Sequence, residues 1–333
     1  MEALGNEIVA VRVGADVLRS NVVPAEFNFR HANNLPDRNL MRILIVGVTG
    51  MLGSALHRVF APDDRHEVWG TLRDNAAKRH FPASSHAHLL AGVDISDADS
   101  LVGVLARIRP DVVINAVGVI KQLASAEDPL VVVPTNAIFP HRLAAFCALS
   151  GARMIHISTD CVFSGRGSNY AETAPSDAED LYGKSKFIGE VHDQPHVITL
   201  RTSGVGHELT TRHGLIEWFL GAQGSVRGFR NAIYTGLPWV ELARVIRDFV
   251  MPRPELHGLY HVSSDPINKY DLLQLVATAY GKTIEIVPDD ALVIDRSLDS
   301  TRFRTETGYV PPSWPALIGT MHSFRPSDSA NAR

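Results

Sequence analysis

Short apolar runs alternate with stretches of helical periodicity from residue 41 onward. The runs are rich in valine, isoleucine and leucine, a pattern typical of parallel strands that are buried on both faces. Because predicted helices separate the runs, we expect an α/β fold built on a doubly wound parallel sheet. The predicted strands are 42–47, 66–72, 88–91, 111–116, 153–159, 196–202 and 258–262.

The pattern becomes less regular after the strand at 196–202. Helices are predicted at 214–220, 240–250 and 269–280, and a strand at 283–287. We therefore expect a large domain that carries the sheet and a smaller C-terminal lobe that is discontinuous in sequence. The expected bounds are 41–202 plus the strand near 258–262 for the domain, and 203–257 with 263–325 for the lobe.

The two ends of the chain fit neither part. Residues 1–40 lack clear periodicity and include a stretch that contains proline and asparagine, although a short strand at 7–13 fits the pattern. We interpret them as an N-terminal extension of unclear role, and one interpretation is that they contribute nothing to catalysis. Residues 326–333 are expected to be a disordered tail.

Composition excludes several classes of protein. A net charge of -4 with mixed signs provides no broad basic field, so nucleic acid is not an expected partner. Two cysteines are too few for a disulfide framework, and the 15 histidines show no metal-ligand spacing, so no metal is expected. No apolar stretch approaches the ~20 residues that span a bilayer, and no signal peptide is recognisable. We expect a soluble, cytoplasmic protein with no membrane partner.

A glycine turn follows the first predicted strand and precedes a predicted helix. Its glycines are Gly47, Gly50 and Gly53, and this order of elements places a pyrophosphate on a helix N-terminus in the Rossmann fold. We expect Gly47 to permit the tight turn, Gly50 to let the backbone approach the phosphates, and Gly53 to let the helix pack closely. The predicted cofactor-binding residues of this turn are Gly47, Thr49, Gly50, Met51, Leu52 and Gly53.

The end of the second strand indicates which dinucleotide is bound. An acidic residue there would bind the ribose 2′-hydroxyl of NAD, whereas an arginine accommodates the 2′-phosphate of NADP. Leu72 ends the strand and Arg73 follows it, so NADPH is favoured, while Asp74 keeps NADH open. Further cofactor contacts are expected from Asp94 and Ile95 beside the adenine, and from Asn115, Ala116 and Val117 beneath the cofactor.

A tyrosine and a lysine four residues apart suggest proton transfer. Tyr182 and Lys186 project from one face if their segment is helical, and the strand at 153–159 delivers the Thr159 hydroxyl at its C-terminal end. We expect the lysine ammonium group to lower the pKa of the tyrosine and to fix the nicotinamide ribose. Thr159, Tyr182 and Lys186 are therefore the predicted catalytic residues, with Tyr182 and Lys186 also touching the cofactor.

These residues resemble the extended short-chain dehydrogenases, and most of all their dTDP-4-dehydrorhamnose reductase branch. The likeness runs from Met41 to about His322 and includes Leu200-Arg-Thr-Ser203 and the late segment 296–302. Members of the branch reduce the 4-keto group of a nucleotide-linked 6-deoxysugar. The resemblance implies the same activity, a nucleotide-sugar substrate, a homodimer as one possible assembly and Asn136 as a supporting residue.

The chain departs from the branch at several positions. Cys161 replaces the usual aromatic residue, Ala116-Val117 replaces Ala-Ala, and the N-terminal extension has no counterpart. The segments 115–122 and 158–165 instead resemble reductases of UDP-linked 2-acetamido-4-keto-6-deoxyhexoses. In the lobe, the candidates for binding the substrate diphosphate and base are Arg227, Arg230, Tyr234, Arg296 and Arg302.

Other functions remain open at this point. A sugar-nucleotide 4,6-dehydratase is disfavoured, because such enzymes place Glu where Cys161 stands. An epimerase is disfavoured by Arg73, since epimerases generally retain NAD. A non-catalytic subunit that resembles the regulatory subunit of methionine adenosyltransferase could also keep the same side chains.

Overall fold

The fold is seen in a computed structural model, which describes residues 40–121, 124–209 and 211–325. The predicted N-terminal extension, the strand considered at 7–13 and the predicted tail at 326–333 lie outside the described residues. Gln122, at the end of one of the resembling segments, also lies outside them.

Seven parallel strands form the main sheet, so the predicted α/β fold is confirmed. Their order across the sheet is β11-β6-β5-β4-β1-β2-β3, with β4 in the middle, and the direction in which the chain adds strands to the sheet reverses between β1 and β4. Every strand predicted for this sheet is present, and the bounds differ from the predicted ones by one residue at most at either end. The strands are β1 Met41–Val46, β2 His66–Leu72, β3 Leu89–Ala91, β4 Val112–Asn115, β5 Arg153–Thr159, β6 Val197–Thr202 and β11 Gly258–His261.

The helices include ten α-helices and two π-helical segments among the described residues. The predicted helix at 240–250 becomes α-helical only to Val245 and continues as a π-helix over Ile246–Val250, and a second π-helix occupies Val133–Ile138. The α-helices are α1 Met51–Phe60, α2 Ala98–Ile108, α3 Pro129–Val132, α4 Phe139–Ser150, α5 Leu181–Ile188, α6 Leu215–Gly221, α7 Trp239–Val245, α8 Lys269–Tyr280, α9 Thr301–Thr307 and α10 Trp314–Ser323.

The other strands after β6, apart from β11, form three small sheets. Two of them join the two sequence stretches of the predicted lobe, because β8 pairs with β13 and β9 lies between β12 and β14. The expected strand at 283–287 is found two residues later. The strands are β7 Gly204–Val205, β8 Ser225–Phe229, β9 Ala232–Tyr234, β10 Leu237–Pro238, β12 Ile267–Asn268, β13 Glu285–Asp289 and β14 Ile294–Asp295.

Alternating side chains of the central strands supply two separate cores. Ile43 and Ile45 of β1 point into a cluster with α1, α7 and α10, whereas Leu44 and Val46 point to the opposite face, against α2 and α4. All four side chains are fully buried or nearly so. This burial on both faces explains why the strand reads as a continuous apolar run rather than an alternating one.

One helical stretch corrects the expectation about membrane length. Among the described residues, the stretch 129–150 is long and apolar enough to cross a membrane by length and composition, with a mean hydropathy of 1.3. Its side chains Phe139, Leu143 and Cys147 are buried in the core beneath the sheet. We therefore interpret it as a core helix of the α/β layer.

Candidate active site

The glycine turn joins β1 to α1 in a backbone conformation that side chains disfavour. Gly47 has φ of 86°, and a Cβ atom there would lie 2.6 Å from Cγ2 of Val117. A Cβ atom on Gly53 would lie 2.2 Å from the carbonyl oxygen of Gly47. Both distances are far below van der Waals contact, so these two glycines are required by the packing of the chain itself.

Gly50 is different, because the surrounding residues leave room for a side chain at this position. A Cβ atom at Gly50 would meet only the carbonyl oxygens of Gly47 and Ala116, at 3.6 and 3.7 Å. Gly50 is also the N-cap of α1, where no side chain caps the helix and no acidic residue occupies the first turn. The N-terminus of α1 therefore presents backbone N–H groups and a positive dipole end to an anion.

The neighbouring residues of the turn have unequal roles. Thr49 and Met51 are partly exposed, whereas the Leu52 side chain is buried in the core and offers only its backbone to a ligand. Met51 also lines the cleft described below.

At the end of β2 an arginine is exposed, and the nearby aspartate is engaged in a hydrogen bond. Leu72 is buried, Arg73 is exposed, and the Asp74 carboxylate accepts a hydrogen bond from the Ala76 backbone N–H at 2.9 Å. Because Asp74 caps the following 3-10 helix, Arg73 is the side chain free to meet a ribose substituent. This arrangement favours a 2′-phosphate over a 2′-hydroxyl.

Asp94 lies next to this tip, just after β3. Its carboxylate accepts hydrogen bonds from the backbone N–H and hydroxyl of Ser96, at 2.8 and 2.7 Å, and these bonds with the nearby charge of Arg73 lower its pKa. Ile95 is partly buried against the core. The two residues thus stand beside Arg73.

The turn after β4 is held against the glycine turn. The Asn115 side-chain oxygen accepts from the Val117 N–H at 3.1 Å, and its amide nitrogen lies 3.1 Å from Nδ1 of the buried His156. The Ala116 N–H donates to the Val46 carbonyl at 3.0 Å. These bonds place Val117 over Gly47, so the predicted contacts from both turns come together.

Thr159 and Tyr182 meet at the C-terminal edge of the sheet. A Cβ atom on Gly183 would lie 2.3 Å from the Cys161 carbonyl oxygen, so α5 packs directly on the segment that follows β5. This close approach brings the Tyr182 phenol near the Thr159 hydroxyl, which lowers the pKa of the phenol in part. Thr159 also accepts from the Cys161 N–H at 3.1 Å, which orients its side chain.

The pKa of Tyr182 moves in the opposite direction from the one expected. Burial raises the pKa of the phenol well above its usual range, the nearby Cys161 and Asp160 raise it further, and the Thr159 hydroxyl offsets only part of this. The expected lowering by Lys186 was wrong for the protein by itself, because the Lys186 ammonium group donates to the Ile157 carbonyl at 2.7 Å. Burial lowers the pKa of Lys186 to about 8.

A buried ion cluster lies behind Lys186. Glu190 accepts two hydrogen bonds from Arg201, at 2.7 and 2.6 Å, and one from the Ser158 hydroxyl at 2.6 Å. The Glu190 carboxylate opposes the effect of burial and raises the pKa of Lys186. Sequence reasoning did not single out this cluster, because its members are separated along the chain and carry no motif.

Asn136 lies inside the π-helix at 133–138 and contacts the same region. Its side chain bonds both backbone groups of Val119, accepting at 2.9 Å and donating at 3.1 Å, and its nitrogen lies 3.4 Å from the Ser185 hydroxyl. A Cβ atom on Gly189 would lie 1.9 Å from the Asn136 carbonyl oxygen. Asn136 therefore supports the loop after β4 and the end of α5.

A cleft of about 280 Å³ extends from the glycine turn to the small sheets. Met51 lines one part of it, and Asp160 and Cys161, next to Thr159, line another. Burial raises the pKa of Asp160, although Arg296 and three hydrogen-bonding neighbours oppose this. The cleft wall at Asp160 and Cys161 therefore lies next to Thr159 in the chain.

Only two of the five predicted substrate-binding residues reach this cleft. Tyr234 and Arg296 line it, and the Arg296 guanidinium donates to the Phe163 carbonyl at 2.8 Å. The other three do not line it, and their guanidinium groups pair with carboxylates. These pairs are Arg227 with Asp289, Arg230 with Asp290 and Arg302 with Glu306.

Residues 41–318 match the family described as the RmlD substrate binding domain. The chain belongs to this family. The match spans both the glycine turn and the cleft. The resemblance found in the sequence is thereby confirmed.

Relatives of this RmlD family chain include both reductases and a subunit of another enzyme. One is the dTDP-4-dehydrorhamnose reductase of Salmonella typhimurium, 27% identical over 305 residues, which cover 84% of this chain and 97% of the relative. Another is the methionine adenosyltransferase 2 subunit beta of Pongo abelii, 29% identical over 157 residues, which cover 47% of this chain and 43% of the relative. The first likeness is nearly full length, whereas the second is partial.

Solved structures share the fold of this RmlD family chain. The dTDP-4-dehydrorhamnose reductase of Bacillus anthracis, in complex with NADP, has a TM-score of 0.68 at 19% identity and is covered over 100% of its length by 86% of this chain. The Bordetella bronchiseptica enzyme WbmG, in complex with NAD, has a TM-score of 0.71 at 22% identity, with 87% of this chain covering 95% of it.

Proposed function

We propose that this protein uses NADPH to reduce the C4 keto group of a nucleotide-linked 4-keto-6-deoxyhexose, in the biosynthesis of sugars for cell-surface polysaccharide. The observation that carries the proposal is the packing of α5 on the segment after β5, which brings Tyr182 near Thr159 and beside the cleft wall at Asp160 and Cys161. Lys186 stands one helical turn further along α5. Family membership and the full-length likeness to a dTDP-4-dehydrorhamnose reductase support it.

The glycine turn and the β2 tip fit a dinucleotide with a 2′-phosphate. Gly50 and the uncapped N-terminus of α1 leave space and positive charge for a pyrophosphate, and Arg73 is free at the strand tip. When bound, NADPH supplies a hydride for the ketone. A related fold that binds NAD in WbmG keeps NADH as a second cofactor to be tested.

The side chains of α5 and β5 account for the proton. Because its pKa is raised, the Tyr182 phenol is protonated at neutral pH, which is the form that a proton donor needs. Tyr182 gives its proton to the oxygen of the reduced ketone, and the Thr159 hydroxyl stabilises that oxygen by a hydrogen bond. Lys186 stays charged below a pKa of about 8 and positions the ribose and the phenol.

The regulatory-subunit alternative has weaker support. The methionine adenosyltransferase likeness reaches 72% of this chain and 74% of the relative from Danio rerio, whereas the reductase likeness covers 97% of the reductase. Both kinds of protein can keep the same fold and side chains. Turnover therefore decides between them.

Assembly and location follow from the same proposal. We propose a soluble cytoplasmic enzyme that forms a homodimer through the exposed apolar side chains of α5 and its neighbouring helix. Ile138, Phe187 and Ile188 are 48%, 43% and 57% exposed, and His141 bonds the Ile188 carbonyl at 2.7 Å, so these helices lie side by side. Contiguous exposed apolar area of this kind is typical of an interface.

The test is NADPH oxidation by the purified protein. The substrates are dTDP- and UDP-linked 4-keto-6-deoxysugars, the latter with and without a 2-acetamido group, generated in the same tube by a dehydratase. NADPH oxidation with one of these 4-keto sugar nucleotides, but with none of the precursors that the dehydratase uses, would support the proposal and identify the nucleotide. Tight NADPH binding without oxidation in any tube would contradict it.

A further inference from the structure

The cleft contains a lysine that no carboxylate neutralises. Lys269 is the first residue of α8, lines the cleft and is only partly exposed. Within the described ranges its ammonium group forms no ion pair. Instead, Nζ lies over two aromatic rings, 5.0 Å from the centroid of Trp218 and 5.1 Å from that of Phe229. Two ring faces hold the charge in place by cation–π attraction but cannot neutralise it.

Three arginines of this lobe provide a contrast. Arg227, Arg230 and Arg302 each pair with a carboxylate of the same lobe. Arg227 even shares the Phe229 ring with Lys269, at 5.2 Å from its centroid, but its guanidinium is bound to Asp289. Three arginines of the lobe are thus neutralised by carboxylates, whereas Lys269 lines the cleft and has no such partner among the described residues.

Arg296 is the other basic side chain that lines the cleft. Its guanidinium group donates to the Phe163 and Ser164 carbonyl oxygens and to the Cys161 sulfur, at 2.8, 3.5 and 3.6 Å, and none of these atoms carries a full negative charge. The cleft thus holds two basic groups without a matching carboxylate bond. Burial lowers the pKa of Lys269, and a bound anion would reverse that effect.

We propose that Lys269 binds the diphosphate of the nucleotide-sugar substrate directly, with Trp218 and Phe229 holding its ammonium group toward the cleft. This inference rests on the proposed function, because it assigns the anion to the substrate. The cofactor phosphates have their own positive groups at the α1 N-terminus and Arg73, so Lys269 serves a second anionic ligand. A lysine ammonium group binds phosphate as a point charge with three rotatable donors, so it can contact a diphosphate without a fixed bidentate geometry.

The experiment compares Lys269→Met with Arg227→Met. Both changes keep an unbranched apolar stem against Phe229 and remove one positive charge, but only the first removes it from the cleft. Calorimetric titrations with UDP, dTDP and NADPH give the affinities, and steady-state rates with the 4-keto sugar nucleotide give KM and kcat. Thermal melts check that both variants fold, and Lys269→Arg tests whether a positive charge alone restores binding.

For Lys269→Met we expect a loss of about 10- to 100-fold in affinity for the nucleoside diphosphate and a matching rise in KM, as for one charge-assisted contact. NADPH affinity should be unchanged, Lys269→Arg should recover part of the loss, and Arg227→Met should bind as the wild type does. A lower NADPH affinity would instead place Lys269 on the cofactor and overturn the inference.

Two further outcomes separate this inference from the proposed function. If the wild type turns over the sugar nucleotide and Lys269→Met keeps the same KM, the inference fails and the proposed function stands. If none of the 4-keto sugar nucleotides supports NADPH oxidation by the wild type, and the wild type binds neither UDP nor dTDP, then both the proposed function and this inference fail.

Discussion

The two sides of the site work through opposite properties of the chain. On the α1 side, Gly50 matters because it lacks atoms, and the backbone around an empty Cβ position forms the surface for a ligand. On the α5 side, Tyr182 matters because of one oxygen atom and the proton that burial keeps on it. One added carbon should therefore disable the first side, and one removed oxygen should disable the second.

The largest effect is expected from removing that oxygen. Tyr182→Phe should lower kcat by about 10²- to 10⁴-fold, the usual contribution of a positioned proton donor. The affinity for NADPH should change little, because the ring and its packing remain. Rapid-reaction and steady-state assays measure the rate, and Tyr270→Phe, which removes an oxygen bonded only to Gln274, is the control. An unchanged rate would remove Tyr182 from the chemistry and favour a binding protein.

Adding one carbon on the other side should act on binding rather than on the fold. We expect Gly50→Ala to keep its melting temperature, because its contacts at 3.6 and 3.7 Å are ordinary ones, and to lose about 10- to 100-fold in NADPH affinity as the methyl group occupies the pyrophosphate surface. Fluorescence titration of NADPH measures the loss.

Gly53→Ala is the matched contrast to that change. Its methyl group would lie 2.2 Å from a backbone oxygen, so the free energy of unfolding should fall by about 1–3 kcal/mol or more. A stable Gly53→Ala protein, or a destabilised Gly50→Ala protein, would contradict the assignment of Gly53 to packing and of Gly50 to ligand binding.

The pH dependence sharpens the α5 side further. Lys186 carries its charge below its pKa of about 8 and loses it above, so turnover should be full near pH 7 and should fall through one ionisation at about pH 8. Tyr182 adds no limb in that range, because its pKa is raised far above it. A rate that stays level to pH 10, in a protein whose circular dichroism is unchanged, would contradict this role for Lys186.

The smallest effect concerns the end of β2. Arg73→Ala should weaken NADPH binding by about tenfold and leave NADH nearly unaffected, because the exposed guanidinium would contact only the 2′-phosphate. Equal losses for both cofactors would reject the preference for NADPH. Arg79→Ala, in the 3-10 helix that follows, serves as a control for a general loss of positive charge.

What could be predicted from the sequence follows the same division. Buried parallel strands leave continuous apolar runs, so β1 to β6 and β11 could be placed within a residue. The three glycines of the turn between β1 and α1 lie close together in sequence, and Tyr182 and Lys186 share one short helix. These features depend on local geometry, which the order of residues reveals.

The features that were missed depend on partners far apart in the chain. The Arg227–Asp289 and Arg230–Asp290 pairs join residues about sixty positions apart, and no local pattern shows that these cations are already neutralised. Lys269 lacked a motif for the same reason: its importance is the absence of a carboxylate among its neighbours. The raised pKa of Tyr182 likewise depends on burial that only the folded chain determines.

The π-helix at 133–138 fixes the rotational phase of the long helix that carries Asn136. A π turn accommodates one residue more than an α turn, so removing a single residue there would restore a regular helix. Everything before the deletion would then rotate by about 100° around the helix axis relative to everything after it. Asn136 and Phe139 could no longer face Val119 and the sheet together, and the wider turn is therefore what lets one helix serve both the loop beside the cofactor site and the core.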